Sequence, residues 1–96
     1  MLEIRPNCEH CDKPLLNTSE EAMICSFECT FCLSSAMDTI ENVCPNCGGK
    51  FHQRPIRPRS MILKHPASNT KISDQKSKEL ISIMKHSFKN IKSTMR

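Results

Sequence analysis

The chain has no tryptophan and no tyrosine, and its only aromatic residues are four phenylalanines. Hydrophobic residues reach just 38% with seven cysteines counted among them, and the mean hydropathy is negative. A large apolar core is therefore excluded. A membrane-spanning helix needs about 18 or more consecutive apolar residues, and segments such as Met61-Ile62-Leu63 fall far short. The N-terminus, Met1-Leu2-Glu3-Ile4-Arg5-Pro6-Asn7-Cys8, lacks the charged start and apolar stretch of about 7–15 residues of a secretory signal. A soluble, intracellular protein of the cytoplasm is expected.

What is present in excess is cysteine. At 96 residues and 11.0 kDa the chain holds one small domain with tails, and a domain this poor in core formers needs a disulfide or metal staple. In a reducing compartment clustered cysteines more often bind metal than pair with one another. Seven is also an odd number, which leaves one thiol over in any complete disulfide scheme.

Charge divides the chain in two. Residues 1–49 carry two cations, Arg5 and Lys13, against eight acids, a net of −6; residues 50–96 carry twelve cations against Asp74 and Glu79, a net of +10. An acidic head with a basic tail reads either as a partner-binding arm or as two parts that neutralise each other.

The expected organisation is a zinc-binding, cysteine-rich domain over 1–53, a linker containing Pro and Arg over 54–72, and a basic amphipathic helix over 73–95. Alternating prolines in Gln53-Arg54-Pro55-Ile56-Arg57-Pro58-Arg59 favour an extended, polyproline-like linker. Ser73 or Asp74 suits a helix cap, and Ile81, Met84, Phe88, Ile91 and Met95 recur at helical spacing. Lys78, Lys85, Lys89 and Lys92 fill much of the other surface. Such a helix either lays its apolar stripe on the head or offers its lysines to an anionic partner.

The cysteines fall as Cys8-x-x-Cys11, Cys25-x-x-x-Cys29-x-x-Cys32 and Cys44-x-x-Cys47. A Cys-x-x-Cys turn lets two thiolates reach one tetrahedral ion while turn amides donate to the sulfurs. In Cys44-Pro45-Asn46-Cys47-Gly48-Gly49, Pro45 presets the entry and Gly48 suits a positive φ. A redox-active Cys-x-x-Cys would sit in a βαβ pattern that the chain lacks. The series resembles the cross-brace of RING-type zinc domains, in which alternate ligand pairs share an ion. In that register Cys25, Cys29, Cys44 and Cys47 complete one zinc site. Cys8, Cys11 and Cys32 start a second, weaker one, whose fourth position falls on Ser35, with His10 and Asp38 as substitutes. A sequential pairing of Cys8, Cys11, Cys25 and Cys29, or a zinc-ribbon or treble-clef arrangement, stays open beside it.

Arg5-Pro6-Asn7-Cys8, Cys25-Ser26-Phe27-Glu28-Cys29-Thr30-Phe31-Cys32 and Val43-Cys44-Pro45-Asn46-Cys47-Gly48-Gly49 make Met1 to Pro58 resemble a bacterial family of short cysteine-rich proteins, domain of unknown function 1272. The family pattern has an eighth cysteine where Ser35 stands here. The resemblance implies a small intracellular bacterial zinc protein and supplies no activity. The tail from Arg59 lies outside it.

The fold expected is thus a small zinc-stabilised α+β domain, with a hairpin built from Met23 to Ser26 and the residues around Phe31. A short helix follows over 33–42 on Leu33, Ala36, Met37 and Ile40. Leu2, Ile4, Leu15, Leu16, Ile24, Phe27, Phe31, Ile40, Val43 and Phe51 are the available core. That supply is small beside the apparent ~10–16 kcal/mol that a structural zinc contributes in finger-like peptides. Three function classes follow. The first is a non-catalytic interaction module with a protein partner, because closed cysteine sites leave no reactive position. The second is nucleic-acid or other polyanion binding through the Lys and Arg of 50–96, without aromatic stacking to read bases. The third is an enzyme, either ubiquitin-ligase-like or acting through an open site near Ser35, for which the chain shows no acid, base and nucleophile constellation. His52, His65 and His86 are expected in solvent.

Overall fold

In the computed structural model, which describes residues 1–70 and 78–96, the order of elements is strand β1 (Ala22–Ile24), strand β2 (Thr30–Cys32), a π-helical turn (Ser35–Thr39), strand β3 (His52–Gln53), a one-turn helix α1 (Arg59–Ile62), helix α2 (Lys78–Phe88) and a final 3-10 turn (Ser93–Met95). The three strands form one antiparallel sheet in the order β2-β1-β3. Met23 lies opposite Phe31 on one side and Gln53 on the other. The loop from Cys25 to Cys29 closes the β1–β2 hairpin with Glu28 at φ 65°, and Glu28 N donates to Cys25 O at 3.0 Å. The hairpin was anticipated; β3, only two residues long, carries no hydrophobic alternation that would have marked it.

The core gathers on this sheet. Ile4, Leu15, Phe31, Ile40, Val43 and Phe51 are buried as expected, joined by Ala22, Met23, Ala36 and Ile81. Phe31 and Phe51 meet edge to face with centroids 5.3 Å apart, a favourable quadrupole arrangement. Two expected core residues lie outside: Leu16 is 72% and Phe27 71% exposed. Phe27 sits in the hairpin loop, where its amide faces the Cys25 sulfur at 3.4 Å and its ring is turned to solvent. Leu2 and Ile24 are half-buried.

The helix expected over 33–42 is present but shorter, with residues 33–34 leading into the π-helical turn over 35–39. Ile40 N donates to Ser35 O at 2.9 Å and Asn42 N to Ala36 O at 2.8 Å. A bond across five residues widens the turn, so Ser35 and Ile40 both face inward while Leu33 and Met37 are partly exposed. Glu41 and Asn42, at φ 53° and 62°, end it, and Asn42 Oδ1 accepts from Phe51 N at 2.9 Å.

The segment read as linker is stitched to the head over its described part, 54–70. Arg54 is 1% exposed; it donates to the carbonyls of Arg5 at 2.9 Å and Leu16 at 2.7 Å, and to that of Leu15 at 3.3 Å. Asn17 and Arg57 exchange two side-chain to main-chain bonds of 2.9 Å, and Ser68 N reaches Ile4 O at 2.9 Å.

Helix α2 folds back onto the head. Ile81 enters the core at 4% exposure, whereas Ile91 and Met95, expected on the same stripe, are 40% and 74% exposed. The stripe stops because the helix ends at Phe88 and Lys92 takes an extended conformation. Arg96 then returns to the carbonyls of Asn42 at 3.0 Å and Gly48 at 3.3 Å. Lys85 and Lys89 pair with Glu41 at 3.1 and 2.8 Å, so lysines of the basic half do face an acid of the head. The proposed caps Ser73 and Asp74 lie outside the described residues. Among the described residues, no helix is long and apolar enough to cross a membrane.

Candidate metal centre

Each cysteine turn shapes a pocket of amides around sulfur. In the first turn Asp12 N donates to Cys8 O at 3.0 Å and His10 N to Cys8 Sγ at 3.4 Å. Asp12 takes a positive φ of 61°, and Asn7 Nδ2 holds its carboxylate at 2.9 Å. The last turn repeats this geometry: Gly48 N donates to Cys44 O at 2.8 Å, Gly49 N to Cys47 Sγ at 3.4 Å, and Gly48 has φ 77°. Amides aimed at sulfur favour the thiolate and hold it in position for a metal.

Two groups of thiols result. Cys8, Cys11 and Cys32 have sulfurs all within 4.8 Å of one another, and so do Cys25, Cys44 and Cys47. The first group is assembled by Glu9, a carboxylate only 5% exposed, which accepts from Thr30 N at 2.7 Å and Arg5 Nη1 at 3.0 Å. With Glu9 N donating to Thr30 O at 3.0 Å, the first turn is zipped to the start of β2, two residues from Cys32. Sequence reading missed Glu9, whose lone acidic position gave no signal of burial.

Ser35, brought inward by the π turn, has its hydroxyl 3.2 Å from Cys32 Sγ and also hydrogen-bonds Cys8. It therefore stands at the fourth side of the first group. Neither His10 nor Asp38 belongs to that group of mutual neighbours, and Asp38 lies on the exposed side of the π turn. Cys29 is outside the second group of mutual neighbours but hydrogen-bonds Cys25 and Cys44 and accepts from Asn46 Nδ2 at 3.3 Å. His52, His65 and His86 are exposed.

The electrostatics of both groups favour a shared negative charge. Hydrogen bonds from Cys29 and then Cys44 pull the Cys25 thiol down to about 3. Cys44, hydrogen-bonded to Cys25 and Cys29 and itself deeply buried, is pushed far up. In the first group burial works against ionisation of Cys32, yet bonds from Ser35, Ser34 and Cys11 together bring it down to about 6. Burial raises Cys8. Three converging sulfurs form a donor set suited to a soft or borderline divalent ion, and either group can hold one.

A family model described as "Protein of unknown function (DUF1272)" matches residues 1–57. The chain is similar to the uncharacterized protein R02474 of Rhizobium meliloti (strain 1021), with 53% identity over 72 residues, which covers 75% of this chain and 86% of that protein. No solved structure matches the chain. The matched span contains all seven cysteines and both thiol groups, and the chain belongs to the family described as Protein of unknown function (DUF1272).

Proposed function

We propose that the protein is a non-catalytic interaction module whose head folds around zinc. One ion is bound by Cys25, Cys29, Cys44 and Cys47, and a second, held more weakly, by Cys8, Cys11 and Cys32. The observation that carries this reading is convergence: thiols separated by about twenty residues meet within 4.8 Å in two places, and all seven cysteines are free of disulfides. Sulfur donors in closed sets are typical of structural zinc, which supplies folding energy rather than a reactive position. The alternation of the groups, first turn with Cys32 and hairpin loop with last turn, supports a RING-like cross-brace for the head.

The partner we propose is another protein. Phe27 stands out from the hairpin loop beside Cys25, Leu33 directly after Cys32, and Met37 from the π turn, which leaves apolar side chains exposed next to a cysteine of each thiol group. Lys85 and Lys89 are engaged by Glu41, which weakens the case for the tail as a free arm for polyanions. Native mass spectrometry with metal analysis tests the reading. Zinc in the folded full chain, with one equivalent lost to a chelator before the other, is expected. A folded, metal-free protein with all thiols reduced would overturn it.

A further inference from the structure

The two thiol groups differ in how they meet solvent. In the second, Cys25, Cys29 and Cys44 are 4%, 8% and 0% exposed, and Cys47 is half-buried. In the first, Cys8 and Cys32 are buried but Cys11 is exposed. Cys11 Sγ lies 3.6 Å from Cys32 Sγ, and the fourth side of the group is a hydroxyl, Ser35, rather than a sulfur. An accessible thiol, a second thiol close behind it and a weakened hold on any metal are the conditions for oxidation to a disulfide.

We propose that Cys11 and Cys32 form a disulfide on reaction with a hydroperoxide, and that the metal of their group leaves as the bond forms. The Cys11 thiolate attacks the outer peroxide oxygen and the O–O bond breaks, giving a sulfenic acid on Cys11 and an alkoxide or hydroxide that takes up a proton. The Cys32 thiolate then attacks the Cys11 sulfur; the S–O bond breaks and hydroxide leaves as water with one further proton. Two electrons pass from sulfur to the peroxide, and the metal ion departs with its charge unchanged. Cys8, fully buried and bound by the His10 amide at 3.4 Å, is the less available partner. The second group, without an exposed thiol, keeps its metal under the same exposure. The disulfide would join the first turn to the end of β2, the same two segments that the metal joins, so the head stays folded in both states.

Only the metal release rests on the zinc reading; the order of sulfur oxidation stands on thiol placement alone. The full-length protein is treated with one to a few equivalents of hydrogen peroxide and followed by intact mass, by non-reducing peptide mapping and by a chromogenic zinc chelator. A loss of two mass units, a Cys11–Cys32 linkage and release of one zinc with the other retained are expected. Cys11→Ser abolishes the early disulfide, and the mapped linkage in the unaltered chain decides the matter even where that variant folds poorly. A first disulfide between Cys8 and Cys11, or one within the Cys25, Cys29, Cys44 and Cys47 group, overturns the proposal. So does retention of all free thiols at this dose. A protein that carries no zinc yet forms Cys11–Cys32 first leaves the order of sulfur oxidation standing and overturns the zinc reading, and with it the metal release.

Discussion

Arg54 is a cation placed where charge is normally absent, and its guanidinium is answered by the carbonyls of Arg5, Leu15 and Leu16. Among the described residues it has no ion pair, and burial lowers its affinity for the proton. Its work is to gather the N-terminal strand-like segment and the 15–16 turn around the end of β3. Arg54→Met keeps much of the volume and strands those carbonyls, each unanswered buried acceptor costing about 1–3 kcal/mol. A loss of roughly 3 kcal/mol in urea denaturation of the metal-loaded protein is expected; an unchanged midpoint would mean that water replaces the guanidinium. Gly48 is constrained twice. Its φ of 77° excludes most side chains, and a Cβ there would lie 2.9 Å from the Phe88 ring. Gly48→Ala forces a left-handed conformation at about 1–2 kcal/mol and pushes the ring outward. Faster proteolysis of the tail, with a stability loss of that size, is the expected result. Ser35 stands at the open side of the Cys8, Cys11 and Cys32 group, and its hydroxyl is turned toward the sulfurs. On the zinc reading, Ser35→Cys is expected to tighten the metal of the Cys8, Cys11 and Cys32 group, read as slower loss to a competing chelator; an unaltered rate would separate Ser35 from that metal.

At the scale of elements, α2 is held by apolar and ionic contacts together. Lys85 and Lys89 bracket Glu41, and Lys85 Nζ also donates to Thr39 O at 3.2 Å. These bonds, first that of Lys89 and then that of Lys85, hold the Glu41 carboxyl below its ordinary range. A carboxyl depressed in the folded state stabilises it at pH above the unfolded value and loses that contribution as pH falls through the folded one. Docking of α2 should therefore be constant near neutrality and loosen in acid, below the usual carboxylate titration. NMR titration of Glu41, with the amide shifts of residues 85–89 followed in parallel, checks this; helix shifts that move at neutral pH and stay fixed in acid would contradict it. The elements were unequally legible. Cys-x-x-Cys turns write their local geometry into the sequence, so both turns and the hairpin between them were readable. The π character of the turn was not, because Leu33, Ala36, Met37 and Ile40 satisfy ordinary helical spacing. β3 is too short for any periodicity, and the burial of Arg54 depends on carbonyls from residues nearly forty positions away. For α2 the stripe was visible, but periodicity alone does not say which surface receives it.

The whole molecule sets a modest core against many cross-links. Its sheet holds eight residues in three short strands, and isolated strands of this length are marginal in water. The thiol groups therefore decide whether the head folds, if the zinc reading holds. Removal of metal by a strong chelator is expected to abolish the amide dispersion of the head and the cooperative thermal transition, since binding of metal and folding are one equilibrium in such domains. A chelated chain that keeps its cooperative transition would show that carbonyls, apolar contacts and α2 suffice. The position of Ile81 bears on how such a protein is inherited. The family segment stops at residue 57, yet a side chain twenty-four positions later is among the members of its core cluster. The segment that the family model matches and the unit that folds are thus not the same here. A relative that retained the cysteine framework but exchanged its tail must seal the Ile81 seat with some other apolar group, so the framework and whatever covers that seat should change in concert across descendants.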